Sequence, residues 1–369
     1  MIRNLQLMIK PASSRCNISC GYCFYNETAC NREVSDYGLM KEETIREIIR
    51  KASEFCGNGT CAIGFQGGEP MLAGIDFYKS ILKYIKNEKI NTNFIFTIQT
   101  NGTLINEEWA EFFRRNNFLT GISLDGTERI HNNNRKKHNG EGTFQEVMKS
   151  VGLLEKYGAE FNILTVVTKE LADSIEEVYK FYKENSFNYL QFIPYIETEQ
   201  DMRAGKYMLT SEVYTDFLNR LFDLWYEDLI NDRGVSIRYF DNIIGLFLGY
   251  PYEACDMRGV CSCQNIIESD GSIYHCDFYV YDDYKLGNIN ENTFEEIIQS
   301  KKTEKFIMES LAHNKECMQC EYRNLCCNGC KKHRDSNNKN RFCSTYKEFF
   351  SKHADKFSEI RNLLLKENF

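Results

Sequence analysis

The sequence predicts an α/β fold in two parts: an open, partial (β/α)6 barrel over residues 1–240 and a small cysteine-rich domain over residues 241–369. Two observations support this division. Six short apolar runs alternate with six amphipathic stretches up to about residue 240, which is the pattern of strands followed by helices. The alternation then stops, and ten of the sixteen cysteines lie between Cys255 and Cys343.

Each barrel element is predicted from its own periodicity. The expected strands are continuous apolar runs, at residues 5–9, 62–66, 94–99, 119–124, 161–167 and 189–193. The expected helices carry apolar residues at helical spacing, at residues 41–55, 75–87, 106–116, 143–157, 173–185 and 211–230. Strands separated by helices form parallel sheets with right-handed crossovers. Because a closed eight-fold barrel needs two more units, we expect an open barrel with its chemistry at the carboxyl ends of the strands.

The second part contains short pieces that a metal would have to hold together. The stretch Asn265–Phe278 is typical of a hairpin, with Asp270 and Gly271 at its turn. A helix is expected over residues 292–311, ahead of the densest run of cysteines, and a charged helix over residues 344–369.

Composition excludes several classes of function. The chain has 369 residues, 42% of them hydrophobic, and a formal net charge of −8, which argues against nucleic-acid binding. No apolar run is long enough to span a bilayer, and no secretion signal is visible, so we expect a cytoplasmic protein without membrane contact. Disulfides are rare in that compartment, so cysteines bunched in sequence point to metal ligation.

The first cysteine group follows the first predicted strand. Cys16, Cys20 and Cys23 have the spacing Cys-x3-Cys-x2-Cys. Three thiolates on one tight loop can hold three irons of a [4Fe–4S] cube and leave the fourth iron open to a small molecule. A structural zinc site is the alternative, but it normally uses four ligands in paired Cys-x2-Cys knuckles. The Tyr22 ring could stack on an adenine or simply pack.

This motif, placed after the first strand of a partial barrel, resembles the signature of the radical S-adenosylmethionine (SAM) superfamily. The resemblance implies that the open iron chelates SAM and that electron transfer cleaves it to methionine and a 5′-deoxyadenosyl radical. The second strand ends in Gly67, Gly68, Glu69 and Pro70, which resembles the superfamily's motif for the SAM amino group. Alone, this segment would be an ordinary turn.

Polar residues also follow the third and fourth strands, in the motifs QTNG at 99–102 and SLDG at 123–126. By resemblance, Ser123 and Arg135 contact the carboxylate and ribose of SAM, and Ile196 touches its adenine. The alternative is that the small residues only form turns and that Arg135 belongs to a solvated basic run.

The cysteines of the second part resemble those of the SPASM domain, an auxiliary iron–sulfur module of peptide-modifying radical SAM enzymes. Seven of the ten match the spacing of that domain, and Cys255 supplies an eighth thiolate, enough for two fully ligated [4Fe–4S] clusters and three clusters in all. Cys263 and Cys327 are near enough to compete as ligands, but we interpret them as spare thiols. The connectivity of the family implies one cluster on Cys255, Cys261, Cys276 and Cys330, and another on Cys317, Cys320, Cys326 and Cys343.

Over essentially the whole chain, the sequence is most similar to anaerobic sulfatase-maturating enzymes. That family oxidises a Cys or Ser of a sulfatase to Cα-formylglycine. The resemblance implies Asp277 as the base, Tyr25 and Gln66 as substrate contacts, and an unfolded or nascent sulfatase polypeptide as the substrate. It also implies a reduced flavodoxin- or ferredoxin-type electron donor, and we expect a monomer.

Two other functions remain open. A radical SAM maturase of a ribosomal peptide, forming thioether or carbon–carbon crosslinks, would share the barrel and the SPASM domain. A non-catalytic iron–sulfur protein would need four protein ligands on every cluster, which the three-cysteine loop argues against. Reductive cleavage of SAM would separate this last class from the enzymes.

Overall fold

The six expected barrel strands all form, with bounds that differ from the prediction by at most two residues. The structure is a computed structural model that describes residues 3–197, 207–312 and 314–367. The barrel strands are β1 (Leu5–Ile9), β3 (Thr60–Phe65), β4 (Asn93–Thr100), β5 (Leu119–Ser123), β7 (Phe161–Val167) and β8 (Tyr189–Pro194). The short strands are β2 (Ile18–Cys20), β6 (Arg135–Lys137), β9 (Ser236–Ile237), β10 (Ile266–Ile267), β11 (Ser272–Tyr274) and β12 (Lys285–Asn288).

The long helices also follow the apolar periodicity. Those of the barrel are Glu42–Cys56, Ile75–Asn87, Glu107–Arg115, Phe144–Tyr157, Ile175–Glu184 and Ser211–Ile230. Further helices are Phe24–Cys30, Glu128–Asn134, Lys169–Asp173, Arg238–Phe247, Phe294–Ile298, Lys301–Ser310, Lys315–Met318, Arg323–Cys326 and Cys343–Glu367. None of the described helices is long and apolar enough to cross a membrane.

The helix expected over residues 292–311 is divided in two. A capping box starts the first part, in which the Thr293 side chain accepts from the backbone N–H of Glu296. Ser300 starts the second part, because its hydroxyl accepts from the backbone N–H of Thr303 at 3.1 Å. The sequence prediction missed this internal cap.

Contacts divide the chain into two units that interleave along the sequence. The first comprises residues 1–124, 131–161 and 262–306, and the second comprises residues 125–130, 162–261 and 307–369. The predicted boundary at about residue 240, between the barrel and the cysteine-rich domain, stays a prediction. Of the barrel strands, β1, β3, β4 and β5 belong to the first unit, and β7 and β8 lie almost wholly in the second.

In the first unit, β1, β3, β4 and β5 pair in parallel in that order. The hairpin predicted around Asp270 and Gly271 forms from β10 and β11, and β10 pairs in parallel with the other edge of β1. The core beneath the sheet is aromatic: Phe65, Tyr78 and Phe118 pack with ring centroids 5.0–6.4 Å apart. The hairpin of the cysteine-rich part therefore extends the barrel sheet at its first strand.

In the second unit, β7, β8 and β9 are parallel neighbours. Helix Ser211–Ile230 packs against helices Ile175–Glu184 and Cys343–Glu367. Phe222 on the first of these helices contacts His353 and Phe357 on the last, with ring centroids 4.5 and 4.8 Å apart. The long terminal helix is thus held by an aromatic core.

Candidate active site

The first unit brings most of the predicted barrel-site residues to one edge of its sheet. Gln66 follows β3, Asn101 follows β4, and Ser123 ends β5. Because these strands are parallel neighbours, their carboxyl ends lie on the same side. The cysteine loop follows β1 on that side as well. The arrangement is that of a site built on strand ends.

The cysteine loop is pinned by a short sheet that the sequence did not predict. Within the loop, β2 pairs antiparallel with β6, and Cys20 lies opposite Arg135 in the register. The Arg135 guanidinium is 5.4 Å from the centre of the Tyr22 ring, and its Nη1 is 3.9 Å from Cys20 Sγ. Two predicted cofactor contacts and one predicted iron ligand therefore meet in this small sheet.

The thiols of this loop suit a metal cluster. Cys16 and Cys20 are half-buried, whereas Cys23 is exposed. Burial raises the pKa of the Cys16 thiol to about 11, and a bound metal would favour its thiolate instead. The Cys23 thiol lies close enough to raise the pKa of Cys16 further, and the cluster on Cys16, Cys20 and Cys23 stays a prediction.

Gly67 and Gly68 fit the cysteine loop closely. The backbone N–H of Gly68 donates to the Ser13 carbonyl at 2.9 Å, and that of Glu69 donates to the Arg15 carbonyl at 2.7 Å. A Cβ atom on Gly68 would lie 2.0 Å from the Arg15 carbonyl oxygen, and Gly67 has a φ of +128°. Both positions therefore require glycine, and the turn is bound directly to the start of the cysteine loop.

Glu69 is buried at the centre of this edge, with 1% of its surface exposed. Its Oε1 accepts from the Met71 N–H at 3.0 Å and from the Thr100 hydroxyl at 2.8 Å, while Oε2 accepts from the Asn101 N–H at 2.8 Å. A carboxylate has about four acceptor positions, so Oε2 keeps one for a ligand. Burial raises the pKa of Glu69 to about 7 despite these bonds.

Asp277 lies next to Lys10, the first residue after β1. The Lys10 Nζ is 2.5 Å from Asp277 Oδ1 and 3.7 Å from the centre of the Tyr25 ring. The Lys10 side chain is 1% exposed and that of Asp277 is 14% exposed. A buried ammonium needs a counter-charge, which the carboxylate and the face of the ring supply. The lysine thereby fixes the carboxylate beside Cys276.

A second buried ion pair lies behind Tyr25. Arg32 and Glu268 are 2.7 Å apart, and neither side chain has exposed surface. The Tyr25 hydroxyl donates to Glu268, and burial together with this carboxylate raises the pKa of Tyr25 well above its usual value. Tyr25 is 3% exposed, so the structure assigns it to holding Lys10, and its predicted contact with substrate stays a prediction.

Sequence reasoning missed Lys10, Arg32, Glu268 and Asn101. Lys10 and Glu268 each follow a buried strand, and a charged residue at that position is a usable signal. Asn101 lies in the QTNG motif, whose polar residues are predicted to suit hydrogen bonds to a ribose and a carboxylate, but no contact is predicted for Asn101 itself. No local pattern marks Arg32, because its partner is 236 residues away.

In the second unit the auxiliary cysteines form two groups. Burial raises the pKa of Cys330 to about 12, and the nearby thiols of Cys255 and Cys261 raise it further. Burial also raises the pKa of Cys326 to about 12, with added effects from Cys343 and Cys317. The predicted ligand sets stay predictions, and of their members Cys276 alone belongs to the first unit.

Among the described residues, no three His, Cys, Asp or Glu side chains converge on a point that could hold one metal ion, so the ligand sets of the iron–sulfur clusters stay predictions.

The loops that carry these cysteines are fastened by Arg334. Its guanidinium donates to the carbonyls of Ser310, Gly259 and Gly329 at 2.6, 2.7 and 3.0 Å. The last predicted cofactor contact, Ile196, follows β8 in this unit and is half-buried.

Comparisons with known proteins agree with this geometry. Residues 11–182 match the model of the radical SAM superfamily, and residues 255–321 match that of the SPASM iron–sulfur cluster-binding domain. The chain is 45% identical to a cysteine-type anaerobic sulfatase-maturating enzyme of Clostridium novyi, covering 98% of this chain and 99% of that one. It is 31% identical to a serine-type enzyme of Bacteroides thetaiotaomicron, covering 94% and 88%. The structure of native anSMEcpe with bound AdoMet and Cp18Cys peptide matches with a TM-score of 0.91 and 41% identity, covering 98% and 100%.

Proposed function

This chain belongs to the radical SAM superfamily and, within it, to the anaerobic sulfatase-maturating enzymes, and from that membership we propose that it oxidises a cysteine of a sulfatase to Cα-formylglycine. Its cofactors are SAM, a [4Fe–4S] cluster and further iron–sulfur clusters. The structural observation that supports the proposal is the ion pair of buried Lys10 and half-buried Asp277, which holds a base beside Cys276. The choice of cysteine over serine follows the higher identity to the cysteine-type enzyme, 45% against 31%.

Cys16, Cys20 and Cys23 hold the first cluster, and Glu69 accepts from the amino group of SAM. Ser123, Arg135, Tyr22 and Ile196 complete the SAM contacts as the sequence predicts, while Gly67 and Gly68 give the backbone room. When bound, SAM and this cluster supply one-electron abstraction of a hydrogen atom from the substrate Cβ. Two auxiliary clusters use the predicted ligands Cys255, Cys261, Cys276 and Cys330, and Cys317, Cys320, Cys326 and Cys343.

The role of Asp277 is to take the proton that the oxidation releases. A cysteine side chain becomes a thioaldehyde when it loses a hydrogen atom from Cβ to the radical derived from SAM, a proton from sulfur to Asp277 and an electron, which an auxiliary cluster would accept. Water then converts this to the aldehyde, with loss of hydrogen sulfide. Asp277 is the carboxylate beside Cys276, and Lys10 keeps it oriented through their 2.5 Å contact. Gln66, at the end of β3, is the proposed contact to the substrate peptide.

The substrate is an unfolded or nascent sulfatase polypeptide. The reaction also needs a reductant, and we assign this role to a reduced flavodoxin- or ferredoxin-type protein. A cytoplasmic location suits the sixteen cysteines, because that compartment keeps thiols reduced. We expect the enzyme to act as a monomer.

Cysteine preference is the first test of this function. Two sulfatase-type peptides that differ only in carrying Cys or Ser at the target position would be incubated anaerobically with reconstituted enzyme, SAM and reductant. We expect kcat/KM for the Cys peptide to be at least about tenfold higher than for the Ser peptide. One contact in a binding pocket can discriminate between two substrates by this much. Mass spectrometry of the peptides, with 5′-deoxyadenosine counted alongside, measures this. Cleavage of SAM with neither peptide changed would favour the ribosomal-peptide maturase instead.

Glu69 provides a second test, on SAM binding. Glu69→Gln keeps the shape of the side chain but removes its negative charge, so we expect SAM to bind about 10–100-fold more weakly, as for a lost charged hydrogen bond. The carboxylate is the form that accepts from an ammonium group, and its pKa is about 7. Affinity in the unmodified enzyme should therefore weaken as the pH falls below 7.

Equilibrium dialysis of radiolabelled SAM against reconstituted protein measures both effects. Thr100→Val is the matched control, because it removes one bond to Oε1 and leaves the charge in place. Equal affinities for Glu69→Gln and the unmodified enzyme would remove Glu69 from the proposed site.

A further inference from the structure

Asn101 touches both halves of the proposed cofactor site. It lies in the QTNG motif after β4, and it is 7% exposed. Its backbone N–H donates to Glu69 Oε2 at 2.8 Å, and its side-chain Nδ2 lies 3.7 Å from Cys16 Sγ. One residue thus links the proposed acceptor for SAM to a proposed ligand of the first cluster.

The orientation of the Asn101 amide is fixed by its other bonds. Its Oδ1 faces the backbone N–H of Thr103 at 2.9 Å, and an N–H can only donate. The oxygen must therefore be on that side and the NH2 group on the side of Cys16. The NH2 group also donates to Asn17 Oδ1 at 2.9 Å, and Asn17 Nδ2 donates to the Thr103 hydroxyl at 2.8 Å. The Thr103 hydroxyl donates to Asn101 Oδ1 at 2.8 Å, so the three side chains form a closed ring of hydrogen bonds.

A donor aimed at a ligand sulfur changes the cluster that the sulfur holds. Hydrogen bonds to cluster sulfurs are among the main determinants of reduction potential, and outer partners also orient the ligands. A donor stabilises the more negative, reduced state, so its presence raises the potential. Asn101 itself is buried, and its bonds to half-buried Asn17 and Thr103 keep such a donor from turning away.

We propose that Asn101 is a positioning residue that donates to the Cys16 thiolate and raises the reduction potential of the first cluster. The inference rests on the proposed assignment of Cys16 as an iron ligand. It gives the QTNG motif a role in electron entry to the active site, in addition to the turn that it forms.

If Asn101 only formed the turn, its side-chain oxygen would matter and its NH2 group would not. The turn uses Oδ1 of Asn101, which accepts from the N–H two residues later. The contact with Cys16 uses Nδ2. Asn101→Asp keeps the oxygen and loses the donor, and Asn101→Leu loses the donor without adding charge. Asn17→Asp adds a similar charge to the same ring and leaves Nδ2 of Asn101 in place.

The experiment is an anaerobic redox titration of the holoenzyme, monitored by electron paramagnetic resonance. The first cluster is identified as the signal that changes when SAM is added. We expect Asn101→Leu and Asn101→Asp to disfavour its reduction by about tenfold at a fixed potential, equivalent to a midpoint about 59 mV more negative. Asn17→Asp should shift the midpoint less than Asn101→Asp. Thr103→Val should shift it less than Asn101→Leu, because it keeps Nδ2 of Asn101 and the Thr103 backbone N–H that orients the amide.

An Asn101→Leu midpoint equal to that of the unmodified enzyme would overturn the inference. If that variant does not fold, equal shifts in Asn101→Asp and Asn17→Asp would overturn it, because charge alone would then explain the change. The triple variant of Cys16, Cys20 and Cys23 to Ala tests the underlying assignment separately. A SAM-responsive signal that survives in it would reject the proposed ligands, whatever the Asn101 variants show.

Discussion

Asp277→Asn is expected to slow peptide oxidation about 10²–10⁴-fold while cleavage of SAM continues, which is the range for loss of a positioned base. The amide has nearly the shape of the carboxylate but does not take up a proton at neutral pH. Hydrogen abstraction does not need the base, so 5′-deoxyadenosine should accumulate without a matching amount of aldehyde. The ratio of these two products, followed by mass spectrometry under anaerobic conditions, is the measurement.

A control is needed for the effect of this variant on Lys10. Removing the carboxylate leaves the Lys10 ammonium, which is 1% exposed, without its counter-charge, and a buried unpaired charge destabilises the structure around it. The double variant Lys10→Met with Asp277→Asn removes both charges, and we expect it to stay as slow as the single variant. Asp283→Asn, an exposed aspartate in the same segment, should behave as the unmodified enzyme. Recovery of peptide oxidation in the double variant would show that Asp277 is not the base.

The second large effect concerns stability. Arg32→Met is expected to lower the free energy of unfolding by about 3–5 kcal/mol, because it leaves the Glu268 carboxylate buried without a counter-charge. Both side chains of the pair have no exposed surface, so water cannot replace the lost contact. The double variant Arg32→Met with Glu268→Met should recover much of this loss, since it buries no charge.

Circular dichroism of the reconstituted protein in urea, under argon, measures the change as a shift of the unfolding midpoint. Arg46→Met is the matched control, because its i,i+4 pair with Glu42 is half exposed and such pairs contribute about 0.3–0.5 kcal/mol. If Arg32→Met shifted the midpoint no more than Arg46→Met, the buried pair would have no special role in holding the first unit together.

The Arg32–Glu268 pair also connects stability to the active site. Glu268 accepts from the Tyr25 hydroxyl, and the Tyr25 ring faces the Lys10 ammonium. Loss of the pair should therefore loosen Tyr25 and Lys10 before it affects the cysteine loop. In a variant that still folds, peptide oxidation should fall more than SAM cleavage does.

The amino-acid sequence by itself determined the strands and helices of the barrel, the spacing of its first three cysteines and the glycines of the second strand end. These are local properties, because apolar periodicity and ligand spacing are read within a few residues. Only the tertiary structure decided that β10 joins the free edge of β1, that Cys20 lies opposite Arg135, and that Lys10 meets Asp277. These pairings join segments more than a hundred residues apart. They depend on which strand edges still lack a neighbour and which buried charges still lack a counter-charge after the local elements have packed, and no local pattern encodes that choice.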